Sequence, residues 1–203
     1  MDYLEKFEKM KIAGRLAANT LDMLTENIKE GISTDFIDKL GYEFIRDNGG
    51  HSAPLYYRGF TKSLCTSLNH VVCHGIPSDR ILKPGIKLGD IGYEIQSFVE
   101  EKGFSVVRDF CGHGISTTFH EPPNILHYGT KNSGMELSPG MTFTIEPMIN
   151  SGKYDVKMLN DGWTAVTKDK SPSAQFEHTL GITENGYEIF TESAKGYSKP
   201  PYL

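Results

Sequence analysis

Lys29, Gly31, Ile32, Ile37, Phe44, Ile45 and Gly49 recur 54 residues further along as Lys83, Gly85, Ile86, Ile91, Phe98, Val99 and Gly103. A glycine-bracketed amphipathic helix of one length and one pattern is therefore present twice, which implies two structurally related halves. The halves begin differently. From Leu4 to Ile28, the residues Met10, Ala13, Ala17, Leu21 and Leu24 fall at three- and four-residue steps among polar neighbours, so a long helix precedes the first copy. Only His74 to Leu82 precede the second copy, a stretch too short and too rich in turn residues to be the counterpart. The second half lacks its leading helix.

The remaining elements alternate with these helices in an α/β (α+β) pattern. Ser33, Thr34 and Asp35 supply N-cap chemistry for the first copy, whose apolar face carries Phe36, Ile37, Leu40, Phe44 and Ile45. The β-prone runs Leu64 to Leu68 and Val71 to Cys73 predict a hairpin, with His74 at its strand-to-turn junction. Ser105 to Phe110 predicts a strand leading into Cys111 to Glu121, where His113 and His120 stand seven residues apart. The glycines beside His113 leave its backbone open to a substrate or metal. Pro122-Pro123 marks an irregular surface connection. Met141 to Met148 then alternates strictly, with Thr142, Thr144 and Glu146 on one face, and Gln175 to Thr183 alternates again, with Glu177 and Thr179 on one face.

Composition narrows the functions open to such a chain. With 203 residues, 38% of them hydrophobic, it can bury one sizeable core or two half-domains. A net charge of -5 and scattered lysines and arginines argue against nucleic acid as a partner. No apolar run reaches membrane-spanning length and the first residues lack signal-peptide order, so the cytoplasm is the expected compartment. Cys65, Cys73 and Cys111 form no CxxC pair, which argues against a disulfide framework or a zinc ribbon; Cys65 and Cys111 are read as small buried apolar residues, with a nucleophile near the histidines as the alternative. His51, His70, His127 and His178 are read as surface or structural. Two strand glutamates with histidines at strand ends form a donor set suited to Mn, Fe, Co or Zn.

Several stretches together resemble one family. These are residues 9–18 (KMKIAGRLAA), Val72-Cys73-His74-Gly75-Ile76-Pro77, Gly112-His113-Gly114-Ile115, Phe119-His120, residues 139–148 (PGMTFTIEPM), Asp161-Gly162-Trp163-Thr164 and residues 173–179 (SAQFEHT). They are similar to type I methionine aminopeptidases of the bacterial kind, over roughly residues 5 to 195. The resemblance implies a pita-bread fold of two pseudo-symmetric helix-plus-antiparallel-sheet halves. It implies a single catalytic domain over residues 1–203, with 1–82 as the first half and 83–203 as the second. It also implies removal of the initiator methionine by metal-activated hydroxide attack on the first peptide bond. His113, Glu146 and Glu177 would be metal ligands, with Glu177 bridging. His74 and His120 would position the peptide and stabilise the tetrahedral intermediate, while Tyr57, Phe60, Cys65, Phe119 and Trp163 would line the methionine pocket. Nascent polypeptide N-termini at the ribosome would be the partners of a cytoplasmic monomer.

The chain departs from that family between Pro77 and Lys83. Two further family ligands are aspartates on a segment that normally lies between these points. Here only Ser78 to Leu82 stand there, so the missing piece would carry both aspartates and the leading helix absent from the repeat. Asp90 falls inside the second helix and is rejected as a substitute ligand; Asp79, in the shortened loop, is a weak candidate. With three ligands in place of five, the expectation is at most one weakly bound cation and reduced catalysis. Loss of central strands should also leave apolar surface and unpaired edges exposed. A catalytically impaired deletion variant, or a module that binds peptide N-termini without cutting them, are the alternatives.

Overall fold

α1 (Tyr3–Asn27) leads the chain, and the repeated helix follows as α2 (Thr34–Asp47) and again as α3 (Leu88–Glu101). The computed structural model describes residues 2–29, 32–65 and 84–197. Both copies are 14 residues long, and each is followed by a glycine in the left-handed region, Gly49 at φ 77° and Gly103 at φ 79°. That conformation ends a helix without the steric penalty a side chain would bring. The Ser33 hydroxyl caps α2 by accepting from Phe36 N at 3.2 Å. α3 starts differently: Asp90 Oδ2 accepts from Lys87 N at 3.0 Å and Oδ1 from Asn132 N at 2.7 Å. Asp90 is thus a helix-start residue, as its place in the repeat requires.

The chain divides into two compact units, Met1–Thr66 with Phe190–Leu203 and Ser67–Ile189. In the first, α1 and α2 pack together, and α1 buries Phe7, Gly14, Ala18 and Leu24. The expected line through Ala13, Ala17 and Leu21 is exposed, Leu21 to 58%. The cause is a small residue: a Cβ on Gly14 would lie 2.4 Å from Phe190 O, so this gap admits the returning backbone. The Phe190 ring then meets Phe7 edge-on at 5.1 Å. Ser193 Oγ donates to the buried Asp22 at 2.7 Å, tying the same segment down. The hairpin expected from Leu64 to Cys73 lies, from Thr66 on, outside the described residues.

Among the described residues, the second unit holds ten strands, all paired antiparallel. They are β1 (Ser105–Val106), β2 (Gly112–Gly114), β3 (Glu121–Ile125), β4 (Thr142–Ile145), β5 (Met148–Asn150), β6 (Val156–Met158), β7 (Ala165–Thr167), β8 (Ser173–Gln175), β9 (His178–Ile182) and β10 (Tyr187–Ile189). A five-stranded sheet runs β10-β9-β4-β2-β3, a three-stranded sheet runs β1-β5-β8, and β6-β7 is a hairpin. Leu88 and Ile91 of α3 pack with Ile125, Leu137, Phe143, Leu180 and Ile182 to form the main core. The strand expected over Ser105 to Phe110 ends at Val106, because Val107 turns into a second cluster with Met148 and Val156. Pro122-Pro123 proves to be strand rather than surface connection. Proline has no N–H for a ladder, and β3 is the edge strand of its sheet, where a missing donor is tolerated.

α3 approaches the segment after β3 closely enough that a Cβ on Gly92 would lie 2.4 Å from Tyr128 O. Gly92→Ala should therefore destabilise the protein by about 1–3 kcal/mol, through overpacking that outweighs alanine's better helix propensity. Urea unfolding should show a lower midpoint at unchanged slope; an unchanged or higher midpoint would contradict this packing.

Candidate metal centre

Glu146 and Glu177 face each other because two strand pairs share one register. β4 pairs with β9 so that Ile145 lies opposite His178, and β5 pairs with β8 so that Met148 lies opposite Gln175. Carrying either ladder through the gap sets Glu146 opposite Glu177 and Pro147 opposite Phe176. The gap is the corner at which both stretches of chain cross between the five-stranded and three-stranded sheets. Pro147 suits it, having no N–H to leave unpaired. Two carboxylates so placed repel one another unless protons or a cation intervene. Glu146, its side chain 13% exposed, has a pKa well above the usual carboxylate range, first through burial and then through the charge of Glu177. Burial raises the Glu177 pKa as well.

His113 enters from β2. Its Nδ1 lies 3.0 Å from Gly114 O, and a carbonyl can only accept, so Nδ1 carries the proton and Nε2 keeps its lone pair. Nε2 lies 3.6 Å from Glu146 Oε1. Burial lowers the His113 pKa, which keeps the ring neutral. The flanking glycines serve packing and do not open the backbone to a substrate. A Cβ on Gly112 would meet Thr144 O at 2.4 Å, and one on Gly114 would meet Pro122 O at 2.3 Å, so β2 fits between β3 and β4 only without side chains there.

Three buried side chains hold these groups. The Thr144 hydroxyl accepts from His113 N at 3.0 Å and donates to Glu146 Oε1 at 2.7 Å. Gln175 Nε2 donates to Glu146 O at 2.8 Å and to Oε2 at 3.2 Å. His127 Nε2 accepts from Glu146 N at 3.1 Å, and burial pushes its pKa down to about 4. Thr144 was legible as a member of the polar strand face, but Gln175 and His127 were not. No spacing marks His127, whose partner is a backbone N–H 19 residues away.

The donor set fits a divalent cation. One ligand atom from each of His113, Glu146 and Glu177 lies within 4.8 Å of the others, and all three are nitrogen or carboxylate oxygen. His120 stands next to it, its ring centroid 4.0 Å from that of His113, and Phe119 meets His113 edge-on at 6.0 Å. Trp163 lies at the tip of the β6-β7 hairpin, 44% exposed. Tyr57, Phe60 and Cys65 belong to the first unit, and Cys65 is exposed where a buried thiol was expected. Cys111 is half-buried. His74, Cys73, Asp79 and His70 lie outside the described residues. No described helix is long and apolar enough to cross a membrane.

Metallopeptidase family M24 matches the chain in two segments, residues 8–85 and 80–184. A methionine aminopeptidase of Rickettsia prowazekii is 44% identical over 249 aligned positions, covering 97% of this chain and 96% of the relative. That of Escherichia coli K12 is 42% identical over 241 positions, covering 92% of this chain and 91% of the relative. These alignments are longer than the 203-residue chain, so positions of each relative face no residue here. The crystal structure of the Rickettsia prowazekii enzyme superposes with a TM-score of 0.87 at 43% identity, covering 92% of this chain and 97% of that one. Prolidase from Pyrococcus furiosus shares the fold at a TM-score of 0.64 and 18% identity, covering 93% of this chain and 64% of that one.

The facing carboxylates carry a pH signature. A carboxyl whose folded pKa is raised contributes stability that is fully present below the ordinary value near 4.5 and is lost as pH climbs through the folded value. Without metal, the wild type should therefore lose stability relative to Glu146→Gln between about pH 4.5 and 8, by on the order of 2 kcal/mol. His113 and His127 have lowered pKa values and act in the opposite sense, stability being lost as pH falls below 6.5; both proteins retain them, so they cancel in the difference. Parallel urea-midpoint curves for the two proteins would contradict the pairing.

Proposed function

The chain belongs to metallopeptidase family M24 and, within it, to the methionine aminopeptidases, and from that membership we propose that it removes the N-terminal methionine of other polypeptides. The observation that carries the reading is the neutral His113, its Nε2 lone pair directed toward the facing pair Glu146 and Glu177. These three residues would hold the cation. When bound, a divalent ion supplies the Lewis acidity that activates water and polarises the scissile carbonyl. Glu146 or a neighbouring carboxylate would accept the proton of the attacking water and pass it to the leaving amine. His120, beside His113, donates to the oxygen on which charge develops, with His74 in the same role. Phe119 and Trp163, both in the second unit, would contribute to the apolar pocket for the methionine side chain. The substrates are nascent chains met at the ribosome, and the protein works in the cytoplasm as a monomer. The relatives are named as aminopeptidases, which favours cutting over mere binding of N-termini.

The cation is Mn, Fe, Co or Zn, and we propose that one at most is held. The alignments longer than the chain and the two family-match segments meeting at 80–85 support a segment shortened between Pro77 and Lys83, where the two remaining family ligands would lie. With fewer anionic ligands, two neighbouring cations would repel more than the site offsets. Calorimetric titration with Mn2+ or Co2+ should give a stoichiometry no greater than one; two ions per chain would contradict the three-ligand set.

Activity supplies the direct test of function. Methionine should be released from Met-Ala-Ser in the presence of Mn2+ or Co2+, at a modest rate, and a chelator should abolish release. Glu177→Ala should lower kcat/KM at least about a hundredfold, since removing a cation ligand forfeits several kcal/mol of transition-state stabilisation. Absence of release under any metal, or release that survives Glu177→Ala, would overturn the proposal.

A further inference from the structure

Glu146 sits where regular pairing runs out. β4 ends at Ile145 and β5 begins at Met148, so the peptide groups of Glu146 have no regular place in either ladder. On the side away from β9, the neighbour of β4 is β2, which begins only at Gly112. Extending the Gly114–Phe143 pairing puts Glu146 beyond that start. The position is filled by a side chain. His127 follows β3 by two residues, is 2% exposed, and presents Nε2 at 3.1 Å to Glu146 N. An N–H can only donate, so the Nε2 of His127 is the lone-pair nitrogen and its proton lies on Nδ1.

We infer that His127 is a positioning residue: its Nε2 holds the Glu146 backbone N–H in place of a missing strand and so aims the Glu146 carboxylate at the cation position. The role rests on Glu146 being a cation ligand, as proposed above. Gln175 holds the carbonyl of the same residue, so Glu146 is fixed at both of its peptide groups by buried side chains. A ligand on an unpaired corner would otherwise sample several directions, and loss of groups that orient a ligand characteristically weakens metal binding more than it weakens the fold.

The contact itself is testable without metal. In 15N-labelled protein, an N–H···N bond gives a scalar coupling between the two nitrogens, expected here between Glu146 N and His127 Nε2; absence of that coupling would overturn the inference. Its consequence is read by Mn2+ titration. His127→Leu, which fills the space but offers no acceptor, should weaken Mn2+ binding by about tenfold or more, while His127→Gln, whose amide oxygen reaches the same point, restores it to within about threefold. Should His127→Leu fail to fold, His127→Asn, polar but too short to reach Glu146, takes its place. A wild type that binds Mn2+ with His127→Leu binding equally well, or with His127→Gln as weak as His127→Leu, would overturn the positioning role alone. A wild type that binds no Mn2+ would overturn the metal-site reading and this role together.

Discussion

Two carboxylates placed opposite each other, one of them largely withdrawn from water, are unfavourable in any protein that does not use them. Glu146 and Glu177 occupy that arrangement because a single register runs through two sheets and breaks at the same level on both strands. Hydrogen bonds and burial act on Glu146 in opposite senses. Thr144 and Gln175 each donate to Glu146, which favours its charged form, while burial and Glu177 oppose it. A neutral imidazole with its lone pair toward Glu146 adds a third donor and no positive charge. An arrangement whose members all offer electron pairs to one point is satisfied by a cation or by protons, and membership of a metallopeptidase family favours the cation.

The fold serves this point by bringing distant segments to one corner. β2 delivers His113 between β3 and β4 because Gly112 and Gly114 allow backbones to approach where any Cβ would collide. α3 braces the same sheet through Leu88, Ile91 and the close approach of Gly92 to Tyr128. The site residues are thus held by strand register and by buried hydrogen bonds from neighbours, a combination that fixes direction as well as distance.

Much of this was legible in the sequence, and the limits have physical causes. The repeated helix could be read because its period and its bracketing glycines are local signals, and its register put Asp90 inside the second copy, where the structure has it at the helix start. The alternation over residues 141–148 and 175–183 predicted strand positions for Glu146 and Glu177, whereas both lie in the breaks between strands; family motifs assigned them with His113 to one site. What could not be read depends on who approaches whom. The buried face of α1 is set by Phe190 fitting over Gly14, which a search for large apolar residues overlooks. Pro122-Pro123 forms strand only because β3 lies at a sheet edge. His127 and Gln175 act on the backbone of Glu146, and a side chain's preference for a distant peptide group leaves no periodic trace. The facing of Glu146 and Glu177 likewise follows from register, which two separately alternating segments do not disclose.

The central claim is that the corner between the two sheets is built around one divalent cation. Anomalous diffraction from a crystal grown with Mn2+ tests it most directly. A single anomalous peak should lie within about 2.0–2.3 Å of His113 Nε2 and a carboxylate oxygen of both Glu146 and Glu177. No peak between these three residues at saturating Mn2+, or a peak held by other side chains, would contradict the account.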